Sequence, residues 1–310
     1  MEFGVTLPNM SFVDGREALI RVARAAEEQG YDSVWVSDHV AMPVETATPY
    51  PYSDKGMKAR RPMSVGDPLV ALSVVAGCTE RIRLGTAVLV LPYRNPLVTA
   101  KMLASLDVYS DGRLILGVGA GWLAEEFEAL RAPPFKLRGK IVEEWIAVFR
   151  TCWTEDLPSF EGPNYSFPAV NFRPQPARHI PILVGGNSPA ALKRAATVGD
   201  GWIGTSVTPE EGTAAIDDVR RHAEANGRNP DELKFASGYT LDLCDDGRTD
   251  ERHLVGSPEQ VAEKIRALEQ VGLSSLDLRI APLRDVDNPS LQGALELIDR
   301  FAADVRPLLS

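Results

Sequence analysis

Asp38 and His39 stand side by side at the end of an apolar run, Val34-Trp35-Val36, and just before a long stretch rich in proline, methionine and tyrosine. Histidine exchanges a proton near neutral pH, and a neighbouring carboxylate can orient its ring. A second kind of chemistry is carried by glycine. In Leu114-Ile115-Leu116-Gly117-Val118-Gly119-Ala120-Gly121-Trp122 a strand-like segment ends in bare backbone with an indole at its rim, so a ligand can approach the main chain closely. A dinucleotide fingerprint, Gly-x-Gly-x-x-Gly, would place glycine where Trp122 stands and would sit on the first strand of its fold.

Two more segments have matching chemistry. Gly185-Gly186-Asn187-Ser188 precedes Pro189: the glycines free the backbone, Ser188 is a good N-cap, and proline suits a first helical turn. Backbone amides and a helix dipole there suit a phosphate. In Gly85-Thr86-Ala87-Val88 the glycine marks a bulge or a close backbone approach, and the small Thr86 and Ala87 leave room for a flat ring. Each pattern also has an ordinary structural reading: a histidine satisfying a loop carbonyl, a glycine-dotted buried strand, a capped helix after a tight turn.

Other chemistries lack their residues. The chain has no Gly-x-Ser-x-Gly elbow, no His-Glu-x-x-His and no Walker sequence, and its three cysteines show no metal-ligand spacing. No metal site is expected, which argues against a metal-dependent barrel hydrolase or lyase. His179, His222 and His253 fall in loop or helix-surface contexts and are assigned no role. Gly199-Asp200-Gly201-Trp202 reads as structural and the charged run 245–252 as a solvated loop. Arg94, after Pro92-Tyr93, either meets an anionic ligand or lies on the surface. The net charge of −10 and a pI near 5.0 disfavour nucleic-acid and anionic-membrane partners. With no leader-like start and no apolar run approaching membrane-spanning length, a cytoplasmic protein is expected.

The elements that must position these residues alternate from end to end. Strands are predicted at 3–7, 33–36, 82–90, around 114, 182–184, 201–204, 234–243 and 276–280. Helices are predicted at 16–28, 67–76, 96–109, 123–130, 138–153, 189–198, 209–225, 258–271 and 289–308. Strand–helix alternation requires parallel pairing with crossovers. Eight regularly spaced strands favour an α/β fold of the (β/α)8 TIM-barrel class over an open doubly wound sheet, as a single domain over residues 1–310. Two insertions stand out, 41–66 after the second strand and 159–178 before the fifth, the latter read as a hairpin with a proline-rich return. In such a barrel the catalytic face lies at the carboxyl ends of the strands, where the first insertion begins.

In this order and spacing, the four segments resemble the luciferase-like flavin and deazaflavin oxidoreductases, TIM-barrel enzymes that bind FMN or coenzyme F420 at the barrel mouth and are often homodimers. The resemblance runs over nearly the whole chain, including Ser110-Asp111-Gly112-Arg113, Glu125-Glu126-Phe127 and Gly199-Asp200-Gly201-Trp202. It implies that Asp38 and His39 are catalytic and contact the reactive ring edge. Thr86, Ala87 and Val88 would back the ring, with a non-prolyl cis peptide between Ala87 and Val88. Gly119, Ala120, Gly121 and Trp122 would flank the cofactor. Gly185 and the amides of Gly186, Asn187 and Ser188 would hold its phosphate.

Ser37-Asp38-His39 is closer to the F420-using members than to FMN-dependent monooxygenases, where an acidic residue followed by paired histidines is common. The implied function is a coenzyme F420-dependent oxidoreductase moving a hydride between the deazaflavin and a small organic substrate. Trp122 and an aromatic-leaning lid (Tyr50, Tyr52, Met57, Met63) point to a largely apolar substrate. The alternatives are an FMNH2-dependent monooxygenase with a partner reductase and a non-catalytic deazaflavin-binding protein. A homodimer is expected, and an F420 or flavin reductase is a candidate partner. The chain departs from the family's sugar-phosphate dehydrogenases: Trp122 replaces an acid/base glutamate and Pro43 a ring-contacting tryptophan, which argues against glucose-6-phosphate oxidation.

Overall fold

The computed structural model describes residues 1–11, 15–51, 64–280 and 290–309. Eight parallel strands, β1 (Glu2–Thr6), β2 (Ser33–Val36), β3 (Arg83–Thr86), β4 (Leu114–Gly119), β5 (Ile182–Gly185), β6 (Gly201–Thr205), β7 (Lys234–Leu243) and β8 (Ser275–Arg279), pair in sequence order. β8 returns to β1 through Phe3↔Leu276, and β4 meets β5 through Val118↔Val184, so the sheet closes. This is the (β/α)8 barrel expected from the alternation.

The two-residue period of the strands sorts their side chains. Val34, Val36, Leu84, Leu114, Leu116 and Ile182 face outward into the main core shared with the helices. Trp35, Ile115, Leu183, Ile203 and Ala236 face inward and form a separate layer inside the barrel, with Ala87 and Val88 packed on it. Trp35 explains Gly85: a Cβ there would lie 2.2 Å from the indole Cε3. The glycine is a close-approach position set by the indole.

Around the barrel run α1 (Arg16–Glu28), α2 (Pro68–Ala76), α3 (Pro96–Tyr109), α4 (Ala124–Leu130), α5 (Arg138–Thr154), α6 (Pro189–Thr197), α7 (Pro209–Ala225), α8 (Pro258–Gln270) and α9 (Leu291–Arg300). Five of them start the same way, with Asp67, Asn95, Ser188, Thr208 or Ser257 capping ahead of a proline. The side-chain cap satisfies amides that the first turn leaves unpaired, and proline has none to satisfy. The capping box read at Ser257 and Gln260 is present.

Some boundaries differ from the sequence reading. The third strand does not run unbroken over 82–90; it stops at Thr86 and resumes at Leu89–Val90, and the Ala87–Val88 peptide between them is cis, as the resemblance implied. A further strand, Leu254–Gly256, lies parallel to the end of β7. The last helix, read over 289–308, is α9 followed by short turns of other pitch, and residue 289 lies outside the described residues. Within 159–178, Phe160–Glu161 and Ser166–Phe167 pair antiparallel, giving the expected hairpin. Of the 41–66 insertion, residues 52–63, with Tyr52, Met57 and Met63, lie outside the described residues. Among the described residues no helix is long and apolar enough to cross a membrane.

Candidate active site

The carboxyl ends of the strands open into a cavity of about 1090 Å³. Every site residue read from the sequence lines it except Thr86. Thr86 is fully buried beneath, its hydroxyl donating to the Gly117 carbonyl at 2.7 Å. Its backbone, not its side chain, shapes the bulge.

The glycines at the strand ends serve the bulge first. A Cβ on Gly117 would lie 2.0 Å from the Thr86 carbonyl oxygen, one on Gly119 2.4 Å from Val88 Cγ2, and one on Gly185 2.5 Å from Val88 Cγ1. Real Cβ atoms do not pack so closely, so these positions are glycine because Ala87-Val88 is folded over the barrel layer. The bare backbone read as an opening for a ligand is thus largely filled by Val88, which itself presents to the cavity.

His39 is 8% exposed and its acid partner is distant in sequence. Its Nδ1 lies 2.6 Å from Oε2 of Glu126, in the first turn of α4. The same Oε2 accepts from the Tyr93 hydroxyl at 2.9 Å, while Oε1 accepts from the amides of Val40 and Ala41 at 2.7 and 3.0 Å. Burial pushes the Glu126 carboxyl up, but the His39 ring and the two amides outweigh it and hold the group below the ordinary carboxylate range. An ionised carboxylate only accepts, so Nδ1 carries the hydrogen and Nε2 is the nitrogen left for the cavity. Burial and the adjacent Glu126 both raise the Tyr93 hydroxyl, which stays a donor.

Asp38 is not the acid that orients His39. Its Oδ2 accepts from Arg94 Nη1 at 2.6 Å and from the Val90 amide at 2.8 Å, and its Oδ1 accepts from Arg94 Nη2 at 2.9 Å. Arg94 does not line the cavity and is not free on the surface; it bridges Asp38 to Asp67, the N-cap of α2, at 2.9 Å. Burial pushes Asp38 up while Arg94 and the Val90 amide pull it down. The pair ties the segment just after the bulge to the end of β2.

Trp122 stands edge-on to His39 at 6.1 Å between centroids and to Tyr50 at 5.1 Å. Beside them, Glu125 accepts from the Thr48 hydroxyl and from the amides of Ala47 and Thr48, which hold its carboxyl down at about 2. Adjacent glutamates on α4 thus anchor both His39 and the start of the insertion.

At the other end of the cavity lies the predicted phosphate loop. Gly186 has φ 112°, a conformation only glycine adopts freely. Its amide donates to the Ile203 carbonyl at 3.3 Å, so of the three amides expected to bind phosphate, those of Asn187 and Ser188 remain without an acceptor among the described residues. Asn187 is fixed by paired bonds with Thr205, and the Trp202 indole donates to the Gly186 carbonyl at 2.8 Å. Ser188 caps α6. Two glycines, two free amides and a helix N-terminus fit a phosphate.

Two further cavity residues, Asp277 and Arg279, carry no motif in the sequence. Asp277 on β8 accepts from Thr6 Oγ1 at 2.7 Å, and burial pushes its carboxyl up to about 6. Arg279 lies two residues on, along the same face of the strand. His179, His222 and His253 do not line the cavity. Among the described residues no cluster of side chains has the makings of a metal site.

The luciferase-like monooxygenase family model matches residues 1–241. The chain belongs to this family. An uncharacterised Mycobacterium tuberculosis (strain H37Rv) protein is 38% identical over 242 residues, covering 74% of this chain and 82% of that one. An F420-dependent glucose-6-phosphate dehydrogenase of Amycolatopsis mediterranei is 35% identical over 195 residues, covering 62% of this chain and 54% of its own length. Among solved structures, an F420-dependent secondary alcohol dehydrogenase in complex with an F420-acetone adduct superposes with a TM-score of 0.81 at 18% identity, over 100% of this chain and 99% of that one. The Streptomyces bottropensis monooxygenase RslO1 gives 0.80 at 23% identity over 100% of both chains. These two likenesses establish the luciferase-like barrel fold.

Proposed function

We propose that this luciferase-like protein is an oxidoreductase that uses coenzyme F420, with His39 handling the proton at its Nε2. The observation that carries this reading is the buried Glu126 carboxylate on Nδ1 of His39, which fixes one tautomer and leaves the other nitrogen at the cavity. The deazaflavin supplies hydride transfer when bound. The protein's own residues do the remaining work. The amides of Asn187 and Ser188 bind the phosphate, Ala87 and Val88 back the ring, and Asp38 with Arg94 keeps that backing in place. Trp122 and Tyr50 close the aromatic side, where a small organic substrate with an apolar face packs.

The cofactor class is supported by the dehydrogenase relative, which is named for F420. Its sugar phosphate is not carried over, because Trp122 stands where those enzymes place a glutamate. The FMN-dependent reading shares the phosphate loop and the bulge, and binding separates the two. Titration of the purified protein with oxidised F420 and with FMN, read by fluorescence, is expected to show micromolar or tighter binding of F420 alone. Preference for FMN would replace the proposal with a monooxygenase supplied by a reductase, and binding of neither would end both.

A homodimer is proposed from one feature of the surface. The neighbouring helices α2 and α3 expose Val70, Val74, Val98, Met102 and Tyr109, apolar side chains that a second copy would cover. Light scattering on the eluting protein tests it, and a monomer mass would refute it.

A further inference from the structure

Three cations line one end of the cavity and have no part in the site described above: Lys136, Arg138 and Arg194. Lys136 lies in the single turn Phe135–Leu137, Arg138 opens α5, and Arg194 projects from α6 one turn beyond Ala190. Arg194 follows Ser188, the last residue of the phosphate loop, by six residues, about 9 Å along the helix axis.

Arg194 is the most telling of the three. It is 9% exposed, and its Nε donates to the Gly139 carbonyl at 3.1 Å and to Glu143 Oε1 at 3.2 Å. Its two terminal nitrogens meet no acceptor among the described residues, although the side chain lines the cavity. Glycine at 139 makes room for it, since a Cβ there would lie 2.3 Å from Nη2. The two terminal nitrogens are not sealed from solvent, so they can donate to a ligand that enters the cavity. Burial and the neighbouring Arg138 both press its charge down, against the pull of Glu143. Arg138 lies over the Phe135 ring at 4.0 Å and donates once, to the Phe135 carbonyl at 3.1 Å. Lys136 has no ion-pair partner among the described residues. Among the described residues, Glu143, 46% exposed, is the single carboxylate paired with the group. In a chain of net charge −10 this is a local surplus of positive charge beside the phosphate loop.

The loop offers one phosphate two free amides, and the three cations lie further along α6 and around the start of α5. FMN ends at its phosphate, whereas the phosphate of F420 is a diester that continues through a lactyl group into glutamyl carboxylates. We infer that Lys136, Arg138 and Arg194 form a subsite for the acidic tail that continues beyond the cofactor phosphate, and that this subsite sets the preference for the deazaflavin over FMN. The inference rests on the F420 reading proposed above and deepens it.

The test compares F420 bearing glutamates with the same cofactor trimmed to its phospholactyl form. Each is titrated by fluorescence into the wild type and into a Lys136→Ala/Arg138→Ala double variant, with a thermal melt to check the fold. Both replaced side chains are at least partly exposed, so folding is expected to survive. The wild type should bind the glutamylated form about five- to tenfold more tightly at low ionic strength, because charge-assisted contacts near the surface are of that size and are screened by salt. That advantage should vanish in the double variant and at raised ionic strength. Equal affinity of the wild type for both forms, or equal weakening of both by the double substitution, would overturn the subsite and leave the cofactor assignment standing. Failure of the wild type to bind either form would overturn the cofactor assignment itself.

Discussion

Nδ1 of His39 and Oε2 of Glu126 lie 2.6 Å apart although 87 residues separate them in the chain. The contact joins the end of β2 to the first turn of α4 and is buried on both sides, with the Glu126 side chain 0% exposed. Glu126 is therefore a positioning residue: it holds the ring through Nδ1 and the following backbone through the Val40 and Ala41 amides.

Replacing Glu126 by glutamine keeps the shape and removes the charge. The amide presents a donor as well as an acceptor, so the His39 tautomer is no longer dictated. We expect kcat to fall about a hundredfold, within the range a proton-transfer group contributes, with cofactor affinity nearly unchanged. His39→Ala should fall at least as far, and the double variant no further than His39→Ala alone, because the two act as a unit. Steady-state kinetics with a titration of bound cofactor reads both, and additive losses would show that Glu126 acts independently of the ring.

Arg94→Ala should be among the most damaging single changes in the barrel. It strands Asp38, whose side chain is 0% exposed, without its bidentate partner, and unpairing a buried charge costs about 3–5 kcal/mol. Arg94→Lys restores charge but cannot make two parallel bonds, so it should recover only part of the loss. Urea unfolding measures both. A loss below about 1 kcal/mol for the alanine variant would mean that Asp38 is neutral in the fold.

The barrel was legible because its signals are local. Alternation of apolar strands with capped, proline-started helices fixes β1 to β8 and α1 to α9 within a residue or two, apart from the third strand, the last helix and β4, which runs on to Gly119. The positions that would surround a cofactor were legible from glycines and from order along the chain. What the glycines do was not. Gly85 makes room for Trp35, and Gly119 and Gly185 make room for Val88, and these contacts between strands leave no trace in the spacing. The acid on His39 was misplaced for the same reason. Asp38 is adjacent in sequence but points to Arg94, whereas Glu126 comes from a helix two strands on. The one available signal was its place in the first turn after the glycine-rich strand end. Asp277 and Arg279 sit in a short strand of ordinary composition and had no signal at all.

Gly119→Ala tests the glycine argument. The new methyl would lie 2.4 Å from Val88 Cγ2 and would push the bulge toward the cavity. Overpacking of this kind costs about 1–3 kcal/mol, and a displaced Val88 should also weaken cofactor binding. Gly212 in α7 is the control: a Cβ there meets Val271 Cγ2 at 3.5 Å, an ordinary contact. Gly212→Ala should stabilise by about 0.5–1 kcal/mol, from helix propensity alone. Equal effects from the two substitutions would refute the packing role of Gly119.

Asp277 should leave its mark on the pH dependence of stability. Burial raises its carboxyl from 3.8 to about 6 in the folded chain, so the fold favours the protonated form. A group raised in this way contributes stability that is complete below the unfolded value near 4 and is lost as pH climbs through 6. Two units correspond to about 3 kcal/mol between those limits. Asp277→Asn keeps an oxygen to accept from Thr6 Oγ1 and removes the titration. The variant should match the wild type at pH 4 and exceed its stability at pH 8, with the difference opening between pH 4 and pH 6. Urea unfolding across that range gives the comparison. Parallel profiles would instead show that Asp277 titrates alike in the folded and unfolded chain, with the Arg279 charge offsetting its burial.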